Sequence, residues 1–199
     1  MSIQQHSTTG AARGISGFAN LLSDTDLFEK EFEKHRELSR TATEGKFKSG
    51  LADHSEKTTR LHTATHLLLQ ALKNVLRDNN IIQKGSNITH ERLRFDFTFQ
   101  RKLSEDELEK IGKEVNLQIK KKLDVKFEEM KLADAKKIGV TGVFEHKYGE
   151  VVKVYFIGSY SKELCGGPHV SNTKELGKFR IVKEESSSSG VRRIKAILL

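Results

Sequence analysis

Two residue pairs with chemical potential stand far apart in the chain. His62 and His66 are four residues apart in LHTATHLLLQ, residues 61–70, and Cys165 and His169 are four apart in ELCGGPHVSNT, residues 163–173. On a helix, residues at i and i+4 share one face about 5–6 Å apart, so both imidazoles can reach a single metal ion. The second pair cannot lie on a regular helix, because Gly166, Gly167 and Pro168 separate its members. A tight turn there, which Gly-Gly permits, lets thiolate and imidazole converge. Three imidazole nitrogens and one sulfur make the borderline-soft donor set that zinc accepts in a tetrahedral arrangement. Taken singly, each pair has an ordinary reading as partly buried helix histidines or as a core thiol. Together they point to Zn2+. Four protein ligands suit a closed structural site, whereas a catalytic zinc keeps one position for water or substrate; spacing alone leaves that choice open.

The elements that must position these residues follow from periodicity. A helix is expected from about Glu56 to Asp78, capped by Asp53 or Ser55, with Leu61, Ala64, Thr65, Leu68, Leu72, Val75 and Leu76 as its buried stripe and the two histidines flanking it. LRFDFTF alternates strictly, with Leu93, Phe95, Phe97 and Phe99 on one face and Arg94, Asp96 and Thr98 on the other, the period of a half-buried strand. Residues 104–123 read as a helix whose end, Lys120 to Lys122, is a solvated charge run. VKFEEMKL, VVKVYFIG, LGKFRIV and VRRIKAIL read as strands, with a short helix near 132–138. IIQKGSN reads as a turn, and the Cys165 turn is expected to follow the strand ending near Gly158. ESSSSG at 185–190 has the composition of a linker, yet its place between two strands also suits a substrate-facing loop. Upstream, residues 1–23 lack periodicity, and DTDLFEKEFEKHRELSRTAT carries Leu27, Phe28, Phe32, His35 and Leu38 near helical spacing before Gly45 and Gly50 break the pattern. The expected fold class is α+β: a mostly antiparallel sheet with helices on one face, preceded by an N-terminal helix. The boundaries are a flexible segment plus helix over 1–45 and a zinc-containing domain over 46–199.

Composition agrees with a globular chain. Hydrophobic residues make up 36% and charged residues 31% of the 199 positions, enough for one core and too charged for a membrane span. The opening MSIQQHSTTG lacks the basic and apolar regions of a secretion signal, so a cytoplasmic location with no membrane partner is expected. The single cysteine excludes an internal disulfide framework and fits a reducing compartment. With 35 Lys and Arg against 27 Asp and Glu, the net charge is +8, which suits a polyanion such as nucleic acid but is also met in basic proteins with no such partner.

Four stretches, FKSGLADHSEKTTRLHTATHLL, QKGSNITHERLRFDF, HKYGEVVKVYFIGSYSKELCGGPHV and EESSSSGVRRIKAIL, together spanning about residues 46–198, resemble the editing domain of alanyl-tRNA synthetase and its free-standing trans-editing relatives. LFEKEFEKHRELSR is similar to the segment that precedes that domain in bacterial synthetases. The resemblance implies that His62, His66, Cys165 and His169 hold zinc at an editing pocket. It further implies hydrolysis of the ester joining a wrongly attached serine, or glycine, to alanine-accepting tRNA. It places Gln83 at the pocket and Arg192 or Arg193 near the substrate.

Such a task has a physical rationale. A pocket for alanine rejects an isostere with an added hydroxyl only about a hundredfold, whereas a site built to bind the hydroxyl discriminates by about 10⁴ or more. Zinc, Gln83 and Thr65 are the candidate hydroxyl readers, with core packing as the plain alternative for Thr65. No Ser/His/Asp arrangement is legible, so attack by water is expected, with zinc and nearby polar groups orienting the substrate and the tRNA's terminal hydroxyl assisting. The partners implied are the aminoacylated 3′ end and acceptor stem of tRNA, which Arg92, Arg94, Lys147, Tyr148 and the Arg192–Arg193 pair could meet, and other synthetase domains, but no DNA.

Some positions depart from the family pattern. CGGPH stands where the alanyl family often has CGGTH, and the proline form also occurs in the threonyl-tRNA synthetase editing domain. Serine removal from threonine-accepting tRNA is therefore an alternative, although RLRFDF and GVRRI point to the alanyl side. Glu145 in VFEHKYG and the run TFQRKL depart as well. A non-catalytic zinc-stabilised tRNA-binding module is a further reading. Nothing resembles an ATP-binding aminoacylation core.

Overall fold

The computed structural model describes residues 51–140 and 150–199. The expected N-terminal helix, the 1–45 segment, Glu145, Lys147 and Tyr148 lie outside them. Helix α1, Glu56–Leu76, starts where the Ser55 hydroxyl accepts the Thr58 N–H and ends where Arg77 turns left-handed at φ 54, its N–H donating to the Lys73 carbonyl. Its burial is broader than one stripe: Leu61, Leu67, Leu68, Leu69, Ala71 and Leu72 are all buried, while Val75 and Leu76 are only partly so. The helix is enclosed because sheet and second helix both contact it.

Strands β1 (Gln83–Ile88) and β2 (Leu93–Thr98) form a hairpin; α2 (Glu105–Lys120) follows, then β3 (Val125–Lys131), the short α3 (Leu132–Lys137), β4 (Val151–Ile157), β5 (Ser161–Leu164), a 3₁₀ turn over Thr173–Leu176, β6 (Phe179–Ser188) and β7 (Val191–Leu198). Helix α2 begins with a full capping box, Ser104 and Glu107 each bonding the other's backbone N–H. The fold class is α+β, as the periodicities predict, but the strands divide into two antiparallel sheets, ordered β1-β2-β7-β6 and β3-β4-β5. The main core joins α1, α2 and the four-stranded sheet around Phe95, Phe97, Phe179 and Ile194. A smaller one, with Ala135, Val152, Val154 and Leu164, lies under α3.

Three local expectations are corrected. QKGSN is not a turn but strand β1, paired with β2 through a bulge between Gln83 and Gly85; the turn falls at Thr89–Arg92, where the Thr89 N–H donates to the Arg92 carbonyl. Ladder pairing overrides the turn-like composition. Between Gly158 and Cys165 runs an additional strand, β5, which Gly158 makes possible by turning at φ +51. ESSSSG is neither linker nor long loop: β6 continues to Ser188 and a hairpin at Gly190, φ +69, leads into β7.

Candidate metal centre

Helix α1 presents His62 and His66 on one face, their ring centroids 5.4 Å apart. Strand β5 delivers Cys165, whose N–H extends the sheet by donating to the Lys153 carbonyl at 3.2 Å. The chain then doubles back so that the His169 ring stacks on His62 at 4.3 Å and meets His66 edge-on at 4.7 Å. Neither Gly166 nor Gly167 takes a positive φ in this loop, so the turn does not exploit glycine's left-handed freedom. The return is pinned by the Val170 N–H, which donates to the Thr63 hydroxyl at 3.2 Å.

The outer partners determine how each imidazole is presented. His62 Nδ1 donates to the Pro168 carbonyl at 3.0 Å. His66 Nδ1 donates to Glu163 Oε2 at 2.7 Å, and Glu163 Oε1 accepts from the Ser161 hydroxyl at 2.9 Å. Thr63 gives its own proton to the Thr59 carbonyl at 3.2 Å and so accepts from His169 Nδ1 at 3.1 Å. All three Nδ1 atoms are thereby committed as donors, and all three Nε2 lone pairs are left for a ligand, the usual outer arrangement of metal-binding histidines.

Cys165 Sγ lies 3.4 Å from both His62 Nε2 and His169 Nε2. A tetrahedron with zinc–nitrogen and zinc–sulfur bonds of about 2.05 and 2.3 Å has an N–S edge of about 3.5 Å. The four ligand atoms all lie within 4.8 Å of one another. His66 Nε2 is buried with no hydrogen-bond partner, an orphan that a metal would satisfy. The donor set therefore fits a zinc-like cation; the ion's identity belongs to the proposal below.

Electrostatics point the same way. Burial opposes a thiolate at Cys165, but the ring nitrogens of His169, His62 and His66 gathered around the sulfur outweigh it and bring its pKa to about 2. At His66 burial also opposes charge, yet Glu163 and the Cys165 thiolate raise the imidazole to about 10. Burial prevails at His169, holding it near 3 against the pull of Cys165. The pocket thus holds one thiolate and room for positive charge, which a metal supplies in place of a proton.

The other anticipated residues occupy two different surroundings. Thr65, 3% exposed, donates its hydroxyl to the His62 carbonyl at 2.6 Å inside α1. In the four-stranded sheet Gln83 pairs with Phe97 and Phe97 with Arg192, so Gln83 and Arg192 share one face. Arg192 Nε donates to Glu184 Oε1 at 2.5 Å. Arg193 faces the other way and grips Asp96 through two hydrogen bonds of 2.7 and 2.9 Å. The hydrogen bonds of these arginines thus run to carboxylates of the sheet.

Sequence reasoning missed Glu163 and Thr63. Glu163 stands two before Cys165, the same-face spacing of a strand, and would have been legible had β5 been recognised. A Ser/His/Asp contact does exist: Asp53 Oδ2 lies 2.7 Å from His90 Nε2, and Ser55 Oγ 3.4 Å from His90 Nδ1. It serves the start of α1, because Asp53 Oδ1 accepts from both the Ser55 N–H and the Thr58 hydroxyl. Pro168 contributes its backbone carbonyl alone to this site, so the proline departure leaves the ligand set untouched.

The fold and the cluster define an α+β domain with a three-histidine, one-cysteine cluster that could hold a metal ion. Residues 152–195 match the family described as Threonyl and Alanyl tRNA synthetase second additional domain. The chain is 55% identical over 184 residues to an alanine–tRNA ligase of Treponema denticola, covering 92% of this chain and 30% of that protein. It is 55% identical over 172 residues to that of Borrelia garinii subsp. bavariensis, covering 86% and 29%, and 50% identical over 140 residues to that of Petrotoga mobilis, covering 70% and 16%. The chain is thus similar to alanine–tRNA ligases over most of its length, and its residues 152–195 match the second additional domain of the threonyl and alanyl synthetases. It spans at most 30% of the length of these relatives. No helix among the described residues is long and apolar enough to cross a membrane.

Proposed function

We propose that this chain is a cytoplasmic aminoacyl-tRNA editing hydrolase that removes serine, and glycine, from alanine-accepting tRNA, with Zn2+ held by His62, His66, Cys165 and His169. The observation that carries the reading is the gathering of three imidazole ligand atoms and the Cys165 sulfur within 4.8 Å of one another, in a chain related to alanine–tRNA ligases. Bound there, zinc supplies Lewis acidity to a substrate hydroxyl or water.

The protein's part is to hold and to select. Cys165 is engaged with the imidazoles, so water is the nucleophile. Gln83 discriminates serine from alanine, because a polar group built for a hydroxyl goes unpaired when it is missing, and the Thr65 oxygen, its proton committed to the His62 carbonyl, accepts from the same hydroxyl. Arg192, fixed by Glu184 on the face it shares with Gln83, or Arg193 on the opposite face, fixed by Asp96, stands near the aminoacylated 3′ end and orients it. The net charge of +8 favours the acceptor stem as partner. Other synthetase domains are further partners.

Two other readings have specific support. The threonyl half of the matched family and the CGGPH motif favour serine removal from threonine-accepting tRNA. Four protein ligands favour a closed zinc in a non-catalytic tRNA-binding module. Deacylation of Ser-tRNA(Ala), Gly-tRNA(Ala), Ala-tRNA(Ala) and Ser-tRNA(Thr) by the purified chain separates the three. The proposal expects fast loss of the first two and survival of Ala-tRNA(Ala). Selective loss of Ser-tRNA(Thr) establishes the threonyl reading, and stability of all four the binding module.

A further inference from the structure

The three-stranded sheet carries an aromatic surface that the hydrolytic site does not use. In its register Phe127, Tyr155 and Glu163 stand side by side across β3, β4 and β5, and Glu129 and Lys153 stand side by side in the next row. Directly opposed residues point to the same face. Phe127 and Tyr155 therefore continue the face from which Glu163 reaches His66. The Tyr155 ring lies 4.2 Å from that of His169, and the Phe127 ring lies 5.5 Å from Tyr155. Two aromatic steps thus lead from a metal ligand outward to β3, the edge strand.

Phe127 at the end of this strip is 51% exposed, a large apolar face that contributes little to either core. Lys153 Nζ stands 4.2 Å from its ring centroid, and Glu129, 3.9 Å from the same ammonium, is the acid paired with it across the strands. An exposed phenylalanine ring continued by the half-buried ring of Tyr155, beside a lysine, suits an unstacked nucleobase and its phosphate, since every base offers a π-face and the ammonium pairs with the backbone. A protein partner would call for a wider apolar patch, and the charge of the chain favours a polyanion.

We propose that Phe127 and Tyr155 form the stacking platform for the 3′-terminal nucleobase of the substrate, with Lys153 at its phosphate. The assignment rests on the reading of the metal centre as an aminoacyl-ester site: the terminal base is one sugar away from the bond to be cleaved, and the strip begins at a ligand of that centre. Phe127 is a binding residue here and makes no contact with the metal ligands.

The test uses the full chain and an alanine-accepting tRNA whose terminal adenine is replaced by 2-aminopurine. Binding to the wild-type protein should quench the fluorescent base. Phe127→Thr, chosen to retain strand propensity, should raise Kd and the KM for Ser-tRNA(Ala) by about 5- to 100-fold, the range expected for losing one base–aromatic stack. The variant's kcat, zinc content and unfolding midpoint should stay at the wild-type values, and Phe127→Tyr should restore binding. Equal quenching and KM in the wild-type and Phe127→Thr proteins would overturn the platform while leaving the editing reading intact. Phe127-dependent quenching in a wild-type protein that hydrolyses nothing would uphold the platform as an RNA site and refute the editing reading.

Discussion

Replacement of Glu163 tests the preorganisation of the metal centre. Glu163 is 8% exposed, and its carboxylate accepts from His66 Nδ1 at 2.7 Å and is itself held by Ser161 at 2.9 Å. Glu163→Ala leaves the His66 Nδ1 proton buried without an acceptor and releases the ring to rotate, so Nε2 no longer points at Cys165. Loss of such an outer partner lowers metal affinity by about 10- to 100-fold, or about 1.4–2.7 kcal/mol. Glu163→Gln retains an acceptor oxygen but removes the negative charge that favours a cationic centre, so its loss should fall near the lower bound, about 10-fold. Competition for zinc against a chromophoric chelator gives both constants, and circular dichroism confirms the fold. A folded Glu163→Ala protein binding zinc as tightly as the wild type would show that the imidazoles are held by helix packing alone and refute this reasoning.

Two further outcomes follow from ion pairs remote from the metal. Asp96→Ala should destabilise the four-stranded sheet by about 2 kcal/mol in urea unfolding, below the full cost of breaking a buried pair because the Arg193 side chain is 25% exposed; no change in midpoint would show the pair to be energetically neutral. Glu107, bonded first by Arg101 and then by Ser104, has its pKa lowered from 4.5 to about 2. A depressed carboxylate stabilises the folded state above its unfolded pKa, and that contribution disappears as pH falls from about 4.5 to about 2. Acid unfolding of Glu107→Gln should therefore be less steep than wild type in that window, and an identical curve would refute the assignment.

Much of the fold and most of the metal centre can be read from local pattern. The α1 periodicity locates His62 and His66, the strict alternation of LRFDFTF gives β2, and the two four-residue spacings name the four candidate ligands that the structure brings together. What escaped reading depends on partners distant in sequence. QKGSN becomes a strand because β2 supplies its ladder, the serines of β6 become a strand because β7 does, and SKEL is too short for its alternation to register. Glu163 was hidden with β5, and the role of Thr63 emerges only when His169, 106 residues away, folds back on α1. The positions of Gln83 and Arg192 on one face likewise arise from register, which no local window contains.

The most direct test of zinc-dependent editing is the rate of Ser-tRNA(Ala) hydrolysis by metal-stripped protein titrated with zinc, with Cys165→Ala alongside. The proposed mechanism predicts that activity is absent without metal, returns to completion at one equivalent of zinc, and does not return in the variant. Undiminished hydrolysis by the metal-free protein would contradict it.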